Sequence, residues 1–73
     1  MQYKLKEDGD IIVGVEAREN ELCNYALYAG FTEDSRLIFY GNLPDEICNE
    51  IIDFLQTQCI HIDDDGIAYQ LAN

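Results

Sequence analysis

The chain predicts an α+β fold, a small antiparallel sheet of about four to six strands packed against one amphipathic helix at about 44–58. Three observations predict it. One segment carries apolar residues at helical spacing, several short segments alternate or run apolar at strand length, and Asp-Gly dipeptides sit between strand-like segments. The whole chain, 1–73, reads as a single compact acidic domain, of a size that buries only about 60% of the surface its unfolded form exposes.

The elements follow in order. Tyr3-Lys4-Leu5-Lys6-Glu7 and Ile11-Ile12-Val13-Gly14-Val15 flank Asp8-Gly9, a dipeptide suited to the positive φ angles of a tight hairpin turn. Tyr25, Leu27, Ala29 and Phe31 alternate with Ala26, Tyr28 and Gly30, the period of a half-buried strand. Residues 19–30 also fit a helix through Leu22, Tyr25, Ala26 and Ala29, with Gly30 as its cap; strand is the reading taken. Thr32-Glu33-Asp34-Ser35 is a turn, and Arg36-Leu37-Ile38-Phe39-Tyr40 is the returning strand.

The helix is the strongest element. Pro44 is pre-organised for its first turn, where Asp45 and Glu46 meet the positive end of the helix dipole. At 100° per residue, Ile47, Cys48, Ile51, Ile52, Phe54, Leu55 and Cys59 fall within an arc of roughly 160°, with Glu46, Asn49, Glu50, Asp53, Gln56 and Thr57 opposite. Beyond it, Ile60-His61-Ile62 and Ile67-Ala68-Tyr69-Gln70-Leu71 bracket Asp63-Asp64-Asp65-Gly66 as a hairpin or loop.

Charge is the feature that bears on function. From Leu37 onward there are seven acidic residues and no lysine or arginine, and the formal net charge of the chain is −11. A one-sided field destabilises a compact state by self-repulsion, so a surface that keeps it either tolerates or needs that repulsion. The same field disfavours direct nucleic-acid binding and anionic membranes, and no apolar run reaches the length of a membrane span. An apolar content of 48% separates the chain from disordered acidic tails. Cys23, Cys48 and Cys59 fit neither a disulfide framework nor a zinc knuckle, so reduced thiols packed as small apolar residues, in a cytoplasmic setting, are expected.

Catalytic and metal chemistry find little support. His61 has Cys59 nearby in sequence, but no orienting group and no oxyanion loop accompany the pair. Aligning Gly66 with the glycine of a calcium-binding EF-hand loop puts His61 and Ala72 where carboxylates belong, so Asp63, Asp64 and Asp65 read as a solvated turn, with divalent-cation binding the weaker alternative. No enzyme activity, cofactor or metal is expected.

What remains is the placement of acid. Glu46, Glu50 and Asp53 lie at i, i+4 and i+7, an expected exposed stripe with carboxylates roughly 6 and 4.5 Å apart along the axis. A DNA strand presents phosphates about every 3.4 Å. In size, acidity and lack of a catalytic set, the chain resembles phage-encoded inhibitors of host defence, such as anti-CRISPR and anti-restriction proteins, and uracil-glycosylase inhibitors. That resemblance, of class and not of motif, implies a DNA-mimic inhibitor that occupies the basic surface of a nucleic-acid-binding partner. The expected partner-binding residues are Glu46, Glu50, Asp53, Asp63, Asp64, Asp65, Tyr40 and Tyr69, the tyrosines as anchors. The alternative is a small structural or adaptor module, homodimeric through unpaired sheet edges.

Overall fold

The computed structural model describes residues 1–70. Four antiparallel strands, β1 (Gln2–Asp8), β2 (Ile11–Arg18), β3 (Ala26–Phe31) and β4 (Leu37–Phe39), lie in the order β1-β2-β3-β4. One helix, α1 (Asp45–Thr57), packs against the sheet, and a two-stranded hairpin, β5 (Ile60–Ile62) with β6 (Ala68–Gln70), completes the α+β fold. Leu71, expected to end the last strand, lies outside the described residues.

The register explains where the core sits. Leu5 pairs with Val15, Val15 with Ala29, and Ala29 with Phe39, so one row crosses all four strands on a single face. Against that row the helix lays Ile51 and Leu55, both fully buried, with Leu37 and Ile60 closing the cluster. Tyr3 extends the apolar face at the β1 edge, where its ring stacks on Phe54 with centroids 5.7 Å apart.

The opposite sheet face carries Lys4, Lys6, Gly14, Glu16, Gly30 and Ile38, which the same pairing aligns. Gly14 faces Gly30 there because neither position has room for a side chain. A Cβ on Gly14 would lie 2.4 Å from the Ala29 carbonyl oxygen, and one on Gly30 would lie 2.5 Å from the Tyr40 hydroxyl. Tyr40 thus lies over Gly30 on the face turned away from the helix.

Two local details differ from expectation, the first turn and residues 19–25, and the end of the helix is a third of note. In the first hairpin the turn is Gly9-Asp10, one residue later than expected, with Asp8 paired to Ile11. Gly9 takes the positive φ of 64° that a two-residue turn needs at its first position. The resulting offset is absorbed by a bulge, since Lys6 pairs with Gly14 and Glu7 with Ile12, leaving Val13 unpaired. The helix ends without a glycine: Cys59 adopts a left-handed φ of 64° and its N–H reaches the Gln56 carbonyl. Residues 19–23 form bends and turns and 24–25 take no regular structure, so none of them belongs to a longer strand, and Cys23 is exposed where packing as a small apolar residue was expected.

The hairpin is tied to the main sheet through Arg36. Arg36 bridges to Ile67, the Leu37 N–H donates to the Gly66 carbonyl at 2.8 Å, and the Ala68 N–H donates to the Ser35 carbonyl at 2.8 Å. This covers the start of the β4 edge, while β1 remains an open edge bearing Lys4 and Lys6. In a two-fold antiparallel pairing of β1 with another β1 that keeps the faces matched, Lys4 or Lys6 meets a lysine, which disfavours self-association along this edge.

The glycine pair yields a test of the packing. Gly14→Ala should destabilise the fold by about 1–3 kcal/mol in urea unfolding, because the obstructing atom is backbone. Gly30→Ala should cost less than about 1 kcal/mol, because the Tyr40 side chain can swing aside.

Candidate protein-binding surface

All fifteen acidic residues fall within the described part of the chain, and only three of them, Glu16, Glu50 and Asp63, are less than exposed. Each of the three has a polar partner. Glu16 lies 4.0 Å from the Lys4 ammonium. Glu50 accepts a 2.8 Å hydrogen bond from the Tyr3 hydroxyl. Asp63 accepts through Oδ1 from the N–H groups of Asp65 and Ile67, and through Oδ2 from the Tyr69 hydroxyl, all at 2.9 Å. Burial disfavours the charged form of a carboxylate, so the less exposed acids are the ones that need such bonds.

Glu50 corrects the picture of a uniformly exposed stripe. It is half-buried because its helical position lies only roughly 40° from Phe54, on the flank that meets β1. Tyr3 stacks on Phe54 and bonds to Glu50, so one side chain holds both an apolar and an anionic group of the helix. Burial, reinforced by the Glu50 carboxylate, raises the Tyr3 phenol well above its ordinary value of 10.0, so it remains a donor. The freely exposed carboxylates of the helix are Asp45, Glu46 and Asp53. Asp45 and Glu46 lie in the first turn, where no side chain caps the helix. Glu46 and Asp53 stand two turns apart, roughly 10 Å along the axis.

The aspartate cluster is also divided. Asp63 is taken up by the hairpin turn, while Asp64 and Asp65 are exposed. This end of the fold is not free of positive charge, since the Arg36 guanidinium donates to the Asp65 carbonyl oxygen. The basic-free stretch of sequence therefore meets a base in space. Tyr69 is half-exposed and pairs with His61 across the hairpin, its hydroxyl held by Asp63 and raised in pKa by that bond. Tyr40 lies on the far side of the sheet from the helix, so the structure does not gather the expected anchors and acids on one face.

The other three bases cluster. The Lys4 ammonium lies 4.2 Å and the Arg18 guanidinium 4.5 Å from the centroid of the Tyr25 ring. Arg18 also donates to Gln2 at 2.7 Å, and Lys6 follows Lys4 on the same face. Positive charge is thus concentrated on the open sheet face and at Arg36, leaving the exposed helix acids without a basic partner. Sequence reasoning missed this segregation, although strand alternation places Lys4 and Lys6 together and could have revealed it.

Among the described residues, no group of three His, Cys, Asp or Glu side chains could hold a metal ion, and no helix is long and apolar enough to cross a membrane. His61 is exposed. The chain matches no protein-family model, no curated protein and no solved structure.

Two measurements follow from these partners. Tyr3→Phe should lower stability by about 1 kcal/mol in urea unfolding, and a double-mutant cycle with Glu50→Ala, which removes the acceptor, should recover most of that loss as coupling. For Asp63, the bond from the Ile67 N–H leads the others in holding its carboxyl below the ordinary 3.8. Its stabilisation is therefore complete above that value and lost as pH falls through the depressed native value. The thermal midpoint of the natural chain should fall more steeply below about pH 4 than that of Asp63→Asn.

Proposed function

We propose that this chain is a non-enzymatic acidic protein that occupies the basic, nucleic-acid-binding surface of a partner protein, as a DNA-mimic inhibitor of the anti-defence kind would. The supporting observation is the segregation of charge. Asp45, Glu46 and Asp53 are exposed with no cation against them, while the bases sit on the opposite face or at the hairpin. A solubility role would be met with far less charge and with both signs mixed. A directional field steers a basic partner onto one side of the molecule and raises the association rate. The binding face is the exposed side of α1, with Glu46 and Asp53 central and Glu50 at its inner margin holding the helix to β1.

A second reading is favoured by one observation. Leu27, Ile38 and Tyr40 are all exposed large side chains beside the Gly14–Gly30 pair, an apolar strip flanked by Lys4 and Lys6. Such a strip suits an adaptor module that docks, or self-associates, through its open sheet face.

The first reading is tested with the natural chain immobilised against the DNA-binding fraction of a cell lysate, eluted by a salt gradient and challenged with duplex DNA. A captured protein should be displaced by the duplex, elute within moderate salt, and be lost to Glu46→Lys/Asp53→Lys, whose circular dichroism should match the natural chain. Capture that survives both the duplex and the charge reversal would remove the mimicry, and Ile38→Asp would then ask whether the sheet strip holds the partner.

A further inference from the structure

A groove of about 680 Å³ opens between the β1–β2 turn and the β5–β6 hairpin. Its lining is apolar in the larger part, with Ile11, Val13, Phe31 and Ile60 among it, and polar at Thr32, Ser35 and Gln70. Ile11 is the telling member, because it is 68% exposed at the start of a strand whose later residues are all buried or half-buried. Two exposed carboxylates, Asp10 and Glu33, stand among the same lining residues. Neither forms an ion pair, the one ion pair among the described residues being Lys4–Glu16.

An apolar trough with unpaired carboxylates beside it is complementary to a side chain that has an apolar stem and a cationic head. Between the two such side chains, the site favours arginine. Its guanidinium is more weakly hydrated than an ammonium, so it enters an apolar-walled groove more readily. It also stacks on an aromatic ring, which Phe31 offers, and its planar fork can serve carboxylates that a point charge would meet singly.

We propose that this groove seats an arginine side chain of the basic partner, with the stem against Ile11 and Phe31 and the guanidinium between Asp10 and Glu33. The inference rests on the reading of the chain as a binder of basic surfaces and adds a short-range anchor to it. The helix carboxylates act at a distance through their field. A groove acts only on contact, and an apolar contact of this kind supplies affinity that screening does not remove.

The test is an amide-resolved NMR titration of the full chain with a hexa-arginine peptide, repeated with hexalysine. The expected result is saturable shifts at Ile11, Val13, Phe31 and Glu33, alongside shifts at Glu46 and Asp53. Hexalysine should move the helix amides but leave the groove amides nearly unchanged. Asp10→Asn/Glu33→Gln should weaken the groove response roughly tenfold, and Ile11→Asn roughly fivefold, with the helix response retained. Both alter exposed positions, so folding is not at stake.

Shifts confined to the helix would overturn the groove assignment and leave the wider reading standing. Shifts confined to the groove would support the anchor and remove the helix face from the interface, and shifts at neither would overturn both. Equal groove responses to the two peptides would overturn the choice of arginine. Nuclear Overhauser contacts from residues 71–73 to Ile11 or Phe31 in the free chain would assign the groove to the chain's own end and overturn the proposal.

Discussion

The seating of Ile51 and Leu55 on the Val15–Ala29 row is the constraint from which the rest of this fold follows. Of the fully buried side chains among the described residues, Ile51, Leu55 and Val15 are the largest. A net charge of −11 pulls against this small core, because each exposed carboxylate gains from expansion. The core can oppose that only if no charge is stranded inside it, and none is: no buried side-chain nitrogen or oxygen among the described residues lacks a hydrogen-bond partner. The three carboxylates nearest the interior are each tied to a neighbouring strand or turn by Lys4, by Tyr3, or by the hairpin backbone. Acids with such partners help hold the fold, and the remaining acids set the external field.

Tyr3 joins these two divisions of the molecule. It stands on the edge strand, stacks on the apolar side of the helix through Phe54, and anchors the acidic side through Glu50. A helix held only by its apolar stripe could rotate slightly about its axis and change where its carboxylates point. The Tyr3–Glu50 bond resists that rotation, and so fixes the orientation of Glu46 and Asp53 relative to the sheet. Loss of this bond would blur the direction of the field before it lowered stability enough to unfold the chain. Fold and charge display are therefore coupled through a single phenol.

The helix was legible because its evidence is local. Proline, two acids and an apolar arc fix its start and its face, and the observed Asp45–Thr57 lies one residue inside the expected limits at each end. The four-stranded sheet was legible for the same reason, through alternation and turns. What sequence alone could not supply were contacts set by tertiary offset. Glu50 falls with Asp53 outside the apolar arc on a helical projection, though closer to Phe54, and it is the position of β1 against that flank that turns the closeness into burial. Arg36 is remote in sequence from Asp65, yet the pairing of β4 with the hairpin brings them together. The one-residue slip of the first turn has a local cause, since glycine satisfies the first position of a two-residue turn as readily as the second. The bulge at Val13 then follows from restoring the inward face of Val15 after that slip.

The two faces of the molecule suggest how a small acidic protein avoids being merely sticky towards cations. A uniform negative shell would attract any basic surface in any orientation, and most encounters would be unproductive. On the proposed reading, Lys4 and Arg18 against the Tyr25 ring, with Lys6 on the same sheet face, disfavour the approach of a basic partner from that side, while the exposed helix acids favour it from the other. Orientation is then biased before contact, and short-range features need only discriminate among poses already close to correct. The same basic face carries the exposed apolar strip of Leu27, Ile38 and Tyr40, so the cations also guard the surface most prone to non-specific association. On this view the four bases matter as much as the fifteen acids. Neutralising the open-face bases would leave the helix acids untouched but weaken the asymmetry that orients the approach.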